Sequence, residues 1–190
     1  MQRAIIGLAL LISSTVFAAE ITVASWNVKR LGSGSQQSFE ALGKVASAFD
    51  VIALQEVMTV QGLNKLEAAL ERMSGEKCGR LESSMIGSKA YKEAYAFLYR
   101  ESTVEYDEGA VVYLDRSDQF FREPFSAKFK ARADHSTFAL GTVHIIYGKG
   151  VSNRVPEIKA LADYWLWMNE VYSGTECILV GDFNLGGCRG

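Results

Sequence analysis

The sequence predicts an α/β domain in which helices are layered against mixed β-sheet. Three features carry this. Strand-like and helix-like segments alternate through the first half. Short strand-like runs fill the middle. The last third joins one long amphipathic segment to the apolar run Ile178-Leu179-Val180. At 190 residues, 48% of them hydrophobic and only two of them proline, the chain is one domain with a substantial core, which excludes a disordered polymer. The formal charge of −2 leaves no global basic footprint, so a polyanionic partner has to be held by local cations or by a metal.

The N-terminus reads as an export signal. Arg3 supplies the positive start, Ala4 to Ile12 the apolar run, and Val16-Phe17-Ala18 a small-residue cleavage site, so residues 1–18 are expected to be removed. The run is too short to span a membrane. Removing it deletes one cation, Arg3, and takes the charge from −2 to −3. The expected domain is 19–190. Cys78, Cys177 and Cys188 are an odd number for an exported chain, and their spacing matches no zinc site.

Glu20 to Trp26 alternates as a first strand, with Asn27 at its end and a Gly/Ser loop from Gly32 to Ser35. Phe39, Leu42, Val45, Ala46 and Phe49 recur at helical spacing. Val51 to Leu54 is a buried strand that ends in Gln55-Glu56. Leu63, Leu66, Leu70 and Met73 then mark a second helix over 60–73. Leu81 to Ile86 and Tyr95 to Tyr99 are strand-like. Val104 to Tyr106 and Ala110 to Leu114 flank an expected turn at Asp107-Glu108-Gly109. Phe125 to Phe129 and Thr137 to Ile146 complete the antiparallel set and make the sheet mixed. Ser152-Asn153 is the expected cap of a helix reaching about Tyr172, with Ile158, Leu161, Ala162, Trp165 and Met168 facing the core.

Polar residues recur at the ends of these strands: Asn27, Glu56, His144, and the pair Asp182 and Asn184. Strand ends hold side chains rigidly, which is why sites assemble there. Singly, each has an ordinary reading as a turn or loop residue. Together they suit phosphodiester hydrolysis. Such an ester is anionic and repels hydroxide, so a divalent cation held by Glu56, with Asp182 or Asn184 nearby, neutralises charge as it develops. Carboxylate and amide oxygens suit Mg²⁺, Mn²⁺ or Ca²⁺ rather than zinc. His144 is placed to donate a proton to the leaving oxygen or a hydrogen bond to the phosphate. Asn27 either holds a phosphate oxygen or orients a carboxylate.

SWNVKRLG, VIALQEV, YKEAYAFLYR, FFREPF, TVHII and ILVGDFN occur in this order. They resemble the endonuclease/exonuclease/phosphatase superfamily, and within it the deoxyribonuclease I-like branch, from about Ile21 to Asn184. The resemblance implies a four-layer α/β sandwich of two packed mixed sheets. It implies divalent-metal-dependent cleavage of DNA to 5′-phosphate ends. By motif, Glu56, Asp182 and Asn184 are the expected metal ligands. His144, Glu93, Asp182, Asn184, Asn27 and Tyr91 are the expected catalytic group, with Glu93 orienting the imidazole. Arg122, Asn27 and Tyr91 are the expected substrate contacts. Tyr91 and Glu93 are expected on a loop. The expected partner is DNA as substrate, met by a secreted or periplasmic monomer without a membrane anchor.

Two departures qualify the resemblance. The family carries a further Asp and a Ser-Asp-His segment after GDFN, and this chain stops before both, so the last strands are expected to be missing and activity to be impaired. The same pattern would leave Cys188 without its partner. Met58 stands where the branch often has a DNA-contacting Arg. His135 sits in a polar stretch and reads as a loop residue. Two other functions remain open: a phospholipid or phosphoinositide phosphodiesterase on the same fold, and a non-catalytic remnant.

Overall fold

The computed structural model describes residues 20–33 and 36–185. The expected signal peptide at 1–18 and Cys188 lie outside the described residues. Cys78 and Cys177 are free thiols, Cys78 buried.

The first half folds as β1 (Val23–Leu31), α1 (Phe39–Ala46), β2 (Val51–Val57) and α2 (Val60–Ser74). Ser38 caps α1 by accepting from Ala41 N, and Thr59 caps α2 by accepting from Gly62 N, so donors left orphaned at each helix start are satisfied. The middle gives β3 (Cys78–Glu82), β4 (Ile86–Gly87), β5 (Lys92–Arg100), β6 (Val104–Val112), β7 (Phe125–Ala131) and β8 (Thr137–His144). α3 (Val151–Val171) and β9 (Glu176–Asp182) follow.

The strands form two mixed sheets. One has the order β1-β2-β5-β3, with β4 also paired to β5; the other has the order β6-β7-β8-β9. β1 and β2 are parallel, as are β8 and β9, and the remaining pairs are antiparallel. The period of two along β2 sorts its side chains. Ile52 and Leu54 pack with Leu63, Leu66 and Leu70 of α2. Val51 and Ala53 face the second sheet, where Tyr95, Phe97, Phe125, Phe129 and Leu140 fill the interface. Phe97 stacks on Phe125 at 5.2 Å and meets Phe129 edge-on at 5.5 Å. Each such buried side chain contributes about 1.5–3 kcal/mol. A third cluster packs α3 on the outer face of the second sheet through Tyr164 and Met168. The expected four layers are present: helices, sheet, sheet, helix.

Several local expectations change. Val104–Val112 is one strand, not two around a turn. Asp107-Glu108-Gly109 forms an irregularity in the β6–β7 register, where Lys128 bridges Asp107 and Glu108 at 3.1 Å each and Gly109 has φ +71°. The first strand continues past Trp26 to Leu31. The expected 81–86 strand splits at Ser83, whose hydroxyl takes the Tyr95 N–H. Gly150, not Ser152 or Asn153, caps α3; the Asn153 side chain accepts from Lys149 N outside the helix. The buried stripe of α3 is Arg154, Glu157, Ala160, Tyr164 and Met168, while Ala162 and Trp165 are exposed. A hydrophobicity pattern misplaces this face because two of its positions are buried ions. Glu157 accepts from Phe121 N and Ile146 N, both at 2.8 Å. Glu93 lies in β5 and is completely buried, not on a loop.

Candidate active site

The C-terminal ends of the two parallel pairs meet at one edge of the sandwich. Register sets Asn27 beside Gln55 in the first sheet and His144 beside Asp182 in the second. Gln55 joins the sheets: its Nε2 donates to Thr142 Oγ1 of β8 at 2.9 Å and to Ser25 Oγ of β1 at 3.2 Å. The backbone is irregular where the polar residues emerge. Both β1–β2 and β2–β5 shift register there, Glu56 has φ +60°, and Lys29 and Arg30 have φ +50° and +58°. A non-glycine residue in the left-handed region costs energy and is kept where it aims a group. Here it turns Arg30 N onto Glu56 Oε2 at 3.0 Å.

Asn27 is the hub. Its Nδ2 donates to Glu56 Oε1 at 2.8 Å and to Asp182 Oδ2 at 2.9 Å, while its Oδ1 accepts from Lys29 N at 2.9 Å. Of the two roles expected for Asn27, the geometry shows the orientation of carboxylates. Residues 27, 56 and 182, far apart in sequence and drawn from both sheets, are therefore one hydrogen-bonded unit.

His144 faces that unit. Its side chain is 7% exposed, its Nδ1 lies 2.7 Å from Glu93 Oε1, and its Nε2 lies 3.8 Å from Asp182 Oδ2. A carboxylate beside Nδ1 fixes the tautomer that carries the proton there and leaves Nε2 toward the cleft. His144 N donates to Tyr95 Oη at 2.8 Å. Glu93 also receives Glu56 N at 3.4 Å. Tyr91 sits at the rim with its hydroxyl 3.8 Å from Met58 Sδ. Burial, then the Glu93 carboxylate, pushes its phenol well above the usual range, so it stays protonated as a donor.

Two expectations are revised. Arg122 is 5% exposed, and its Nε and one Nη donate to His144 O at 3.0 and 2.8 Å, the same Nη also reaching Ile145 O at 3.2 Å. Nε lies 3.7 Å from Glu93. These atoms brace the His144 segment from behind and are not presented to a phosphate. Asn184 does not project by strand alternation, because β9 ends at Asp182. It turns at φ +49°, takes Asp182 Oδ1 on its own N–H at 3.0 Å, and donates Nδ2 to Ile145 O at 2.7 Å. Among the described residues its amide oxygen accepts no hydrogen bond. His135 is exposed in the β7–β8 connection, away from this edge, as expected.

The donor set fits a hard cation. Glu56 and Asp182 carboxylates are held on one amide, and all donors are oxygen. Among the described residues no group of three or more His, Cys, Asp or Glu is arranged around a metal position. Beside Asp182 and Asn184 opens a cavity of about 600 Å³, also lined by Tyr147, Arg154, Phe183 and Leu185. Sequence reasoning missed Tyr95, Tyr147 and Arg154. For Arg154 a signal existed: an ion at 154, three before Glu157, on the stripe that continues into Ala160 and Tyr164.

Known proteins share this arrangement of sequence and fold. The model of the Endonuclease/Exonuclease/phosphatase family matches residues 24–188. A protein named Deoxyribonuclease from Thioalkalivibrio sp. (strain K90mix) is 45% identical over 170 residues, covering 88% of this chain and 47% of that protein. Deoxyribonuclease-1 of Rattus norvegicus is 29% identical over 188 residues, covering 93% of this chain and 64% of the relative. The chain thus spans about half to two thirds of the length of these relatives. A solved endonuclease/exonuclease/phosphatase family protein from Bacteroides thetaiotaomicron superposes with a TM-score of 0.64 at 22% identity, covering 86% of this chain and 63% of its own. The fold, the matched residues and the relatives agree: this chain belongs to the Endonuclease/Exonuclease/phosphatase family, on its deoxyribonuclease I-like branch.

Proposed function

We propose that this protein is an exported, divalent-metal-dependent phosphodiesterase that cleaves DNA and leaves 5′-phosphate ends. The observation that carries the reading is the single amide of Asn27 joining Glu56 to Asp182, with the Glu93–His144 pair 3.8 Å across from Asp182. The names of the relatives favour DNA over lipid as the substrate.

A divalent cation held by Glu56, with Asp182 and the Asn184 oxygen beside it, would supply charge neutralisation at the phosphate. The chain's own residues do the rest. Asp182, fixed by Asn27, accepts the proton of the attacking water. His144, held by Glu93 and by the Tyr95 hydroxyl, presents Nε2 to the phosphate as a hydrogen-bond donor when protonated. Tyr91, kept as a neutral phenol, adds a second donor. Water adds to phosphorus as its proton passes to Asp182, the bond to the 3′ oxygen breaks, and that oxygen takes the proton from His144 Nε2, giving a 3′ hydroxyl and a 5′ phosphate.

The test is nicking of supercoiled plasmid by the purified chain in excess, with Mg²⁺ plus Ca²⁺ and with EDTA, followed by ligation of the products. Metal-dependent nicks that DNA ligase reseals support the reading. Turnover of sphingomyelin or a phosphoinositide, with plasmid untouched, contradicts it.

A further inference from the structure

Two arginines are buried near the site, and they differ in one respect. Arg122 has the Glu93 carboxylate 3.7 Å away. Arg154, 8% exposed, has no carboxylate partner among the described residues. Its Nε donates to Tyr147 O at 2.8 Å, and its guanidinium carbon lies 4.8 Å from the centre of the Tyr147 ring. Removing a cation from water without an anion is costly, and proteins leave such a charge in place where a ligand completes it. Nε makes the one hydrogen bond of the Arg154 side chain among the described residues, and Arg154 lines the cavity of about 600 Å³ that Asp182 and Asn184 also line.

We infer that Arg154 binds an internucleotide phosphate next to the scissile one, with Tyr147 holding the guanidinium in place. This rests on the reading of a nucleic-acid strand as substrate. One wall of the cavity is the end of β9, where the cleaved phosphate would sit; Arg154 forms another wall, from the first turns of α3. A continuing strand puts its next phosphate within the same space. The planar guanidinium, fixed at Nε and stacked on one face, keeps two terminal amino groups in the geometry that phosphate oxygens take. Tyr147, 70% exposed, stands at the mouth.

The experiment measures binding of a fluorescein-labelled DNA duplex by anisotropy across a salt series in Mg²⁺, in a His144→Ala background that blocks cleavage. Arg154→Gln is expected to weaken binding about tenfold and to reduce the salt slope by about one, as the loss of one phosphate contact does. Arg154→Lys keeps the charge but not the planar fork, so it is expected to retain the slope while losing part of the affinity, which separates charge from packing should the Gln variant unfold. A purely structural arginine predicts a lower melting temperature with an unchanged slope, and that result overturns the inference while DNA binding itself persists. Loss of slope in a folded Arg154→Lys variant overturns it as well. If the Arg154-intact protein binds phosphoinositide vesicles and not the duplex, the nucleic-acid reading falls and the inference with it.

Discussion

His144 and Asp182 are register partners across the parallel pair β8–β9, and their side chains meet with Nε2 3.8 Å from Oδ2. That register depends on what lies one residue earlier. Gly181 pairs with Val143 at φ +149°, and a Cβ built there would run into the Val143 carbonyl oxygen. Gly181→Ala is expected to destabilise the fold by about 1–3 kcal/mol, because backbone cannot yield as a flexible side chain does. For a chain of this size that is a fall of roughly 2–4 °C in Tm per kcal/mol, read by thermal unfolding. An unchanged Tm would refute this account of the glycine.

Glu93 is expected to act through His144. It is fully buried and contacts the imidazole at 2.7 Å, and its second oxygen has no hydrogen-bond partner among the described residues. Glu93→Gln keeps the shape but removes the charge that sets the tautomer. Loss of the group that orients a general acid or base is expected to cost about 10²-fold in kcat with little change in KM, with the pH profile displaced. A purely structural role would lower Tm and leave the pH profile where it was.

Asn27→Asp replaces a shared donor with a third carboxylate. Glu56 and Asp182 then repel a neighbour that formerly bridged them. The variant is expected to lose stability without metal and to recover more of it than the parent when Mg²⁺ or Ca²⁺ is added. Melting curves with and without cation report this directly, and an identical cation response in both proteins counts against Asn27 as the hub.

Stability should also fall in acid through Asp50. Burial pushes this carboxyl up, but the Thr22 side chain and backbone N–H and the Thr103 side chain, at 2.6 to 2.9 Å, outweigh it and hold the group below its ordinary value of 3.8. The folded state therefore prefers the carboxylate. Its contribution is present above the unfolded value and disappears as pH falls through the lower folded value. Asp50→Asn is expected to cost about 1–2 kcal/mol at pH 7, with the difference from the parent closing below about pH 4. A gap that widens in acid would contradict this.

The layered α/β plan was legible because strands and helices carry different periods: Ile52 and Leu54 against Val51 and Ala53 report the two faces of β2. The site was legible as a set of polar residues ending apolar runs, and the structure gathers Asn27, Glu56, Glu93, His144 and Asp182 into contact. What the sequence hides is the direction in which a polar group is used. Arg122 is expected to meet a phosphate, yet its donors grip the carbonyls of His144 and Ile145. Arg154 shares the helix stripe of Glu157, but the loop carbonyl and the aromatic ring that receive it cannot be read from that spacing. Asn184 reads as the next same-side residue of a strand, but the strand ends two residues earlier. Each outcome depends on long-range partners that local pattern does not encode.

The central claim is that the carboxylate unit and the histidine pair act as one centre. The most direct measurement is metal-dependent plasmid nicking, with protein in excess, by the parent, Glu56→Gln, His144→Ala and the double variant. Each single substitution is expected to lower the rate by at least about 10²-fold, and the double variant to fall little further, since groups that act together are not additive. Two independent losses that multiply, or nicking untouched by either substitution, would contradict the account.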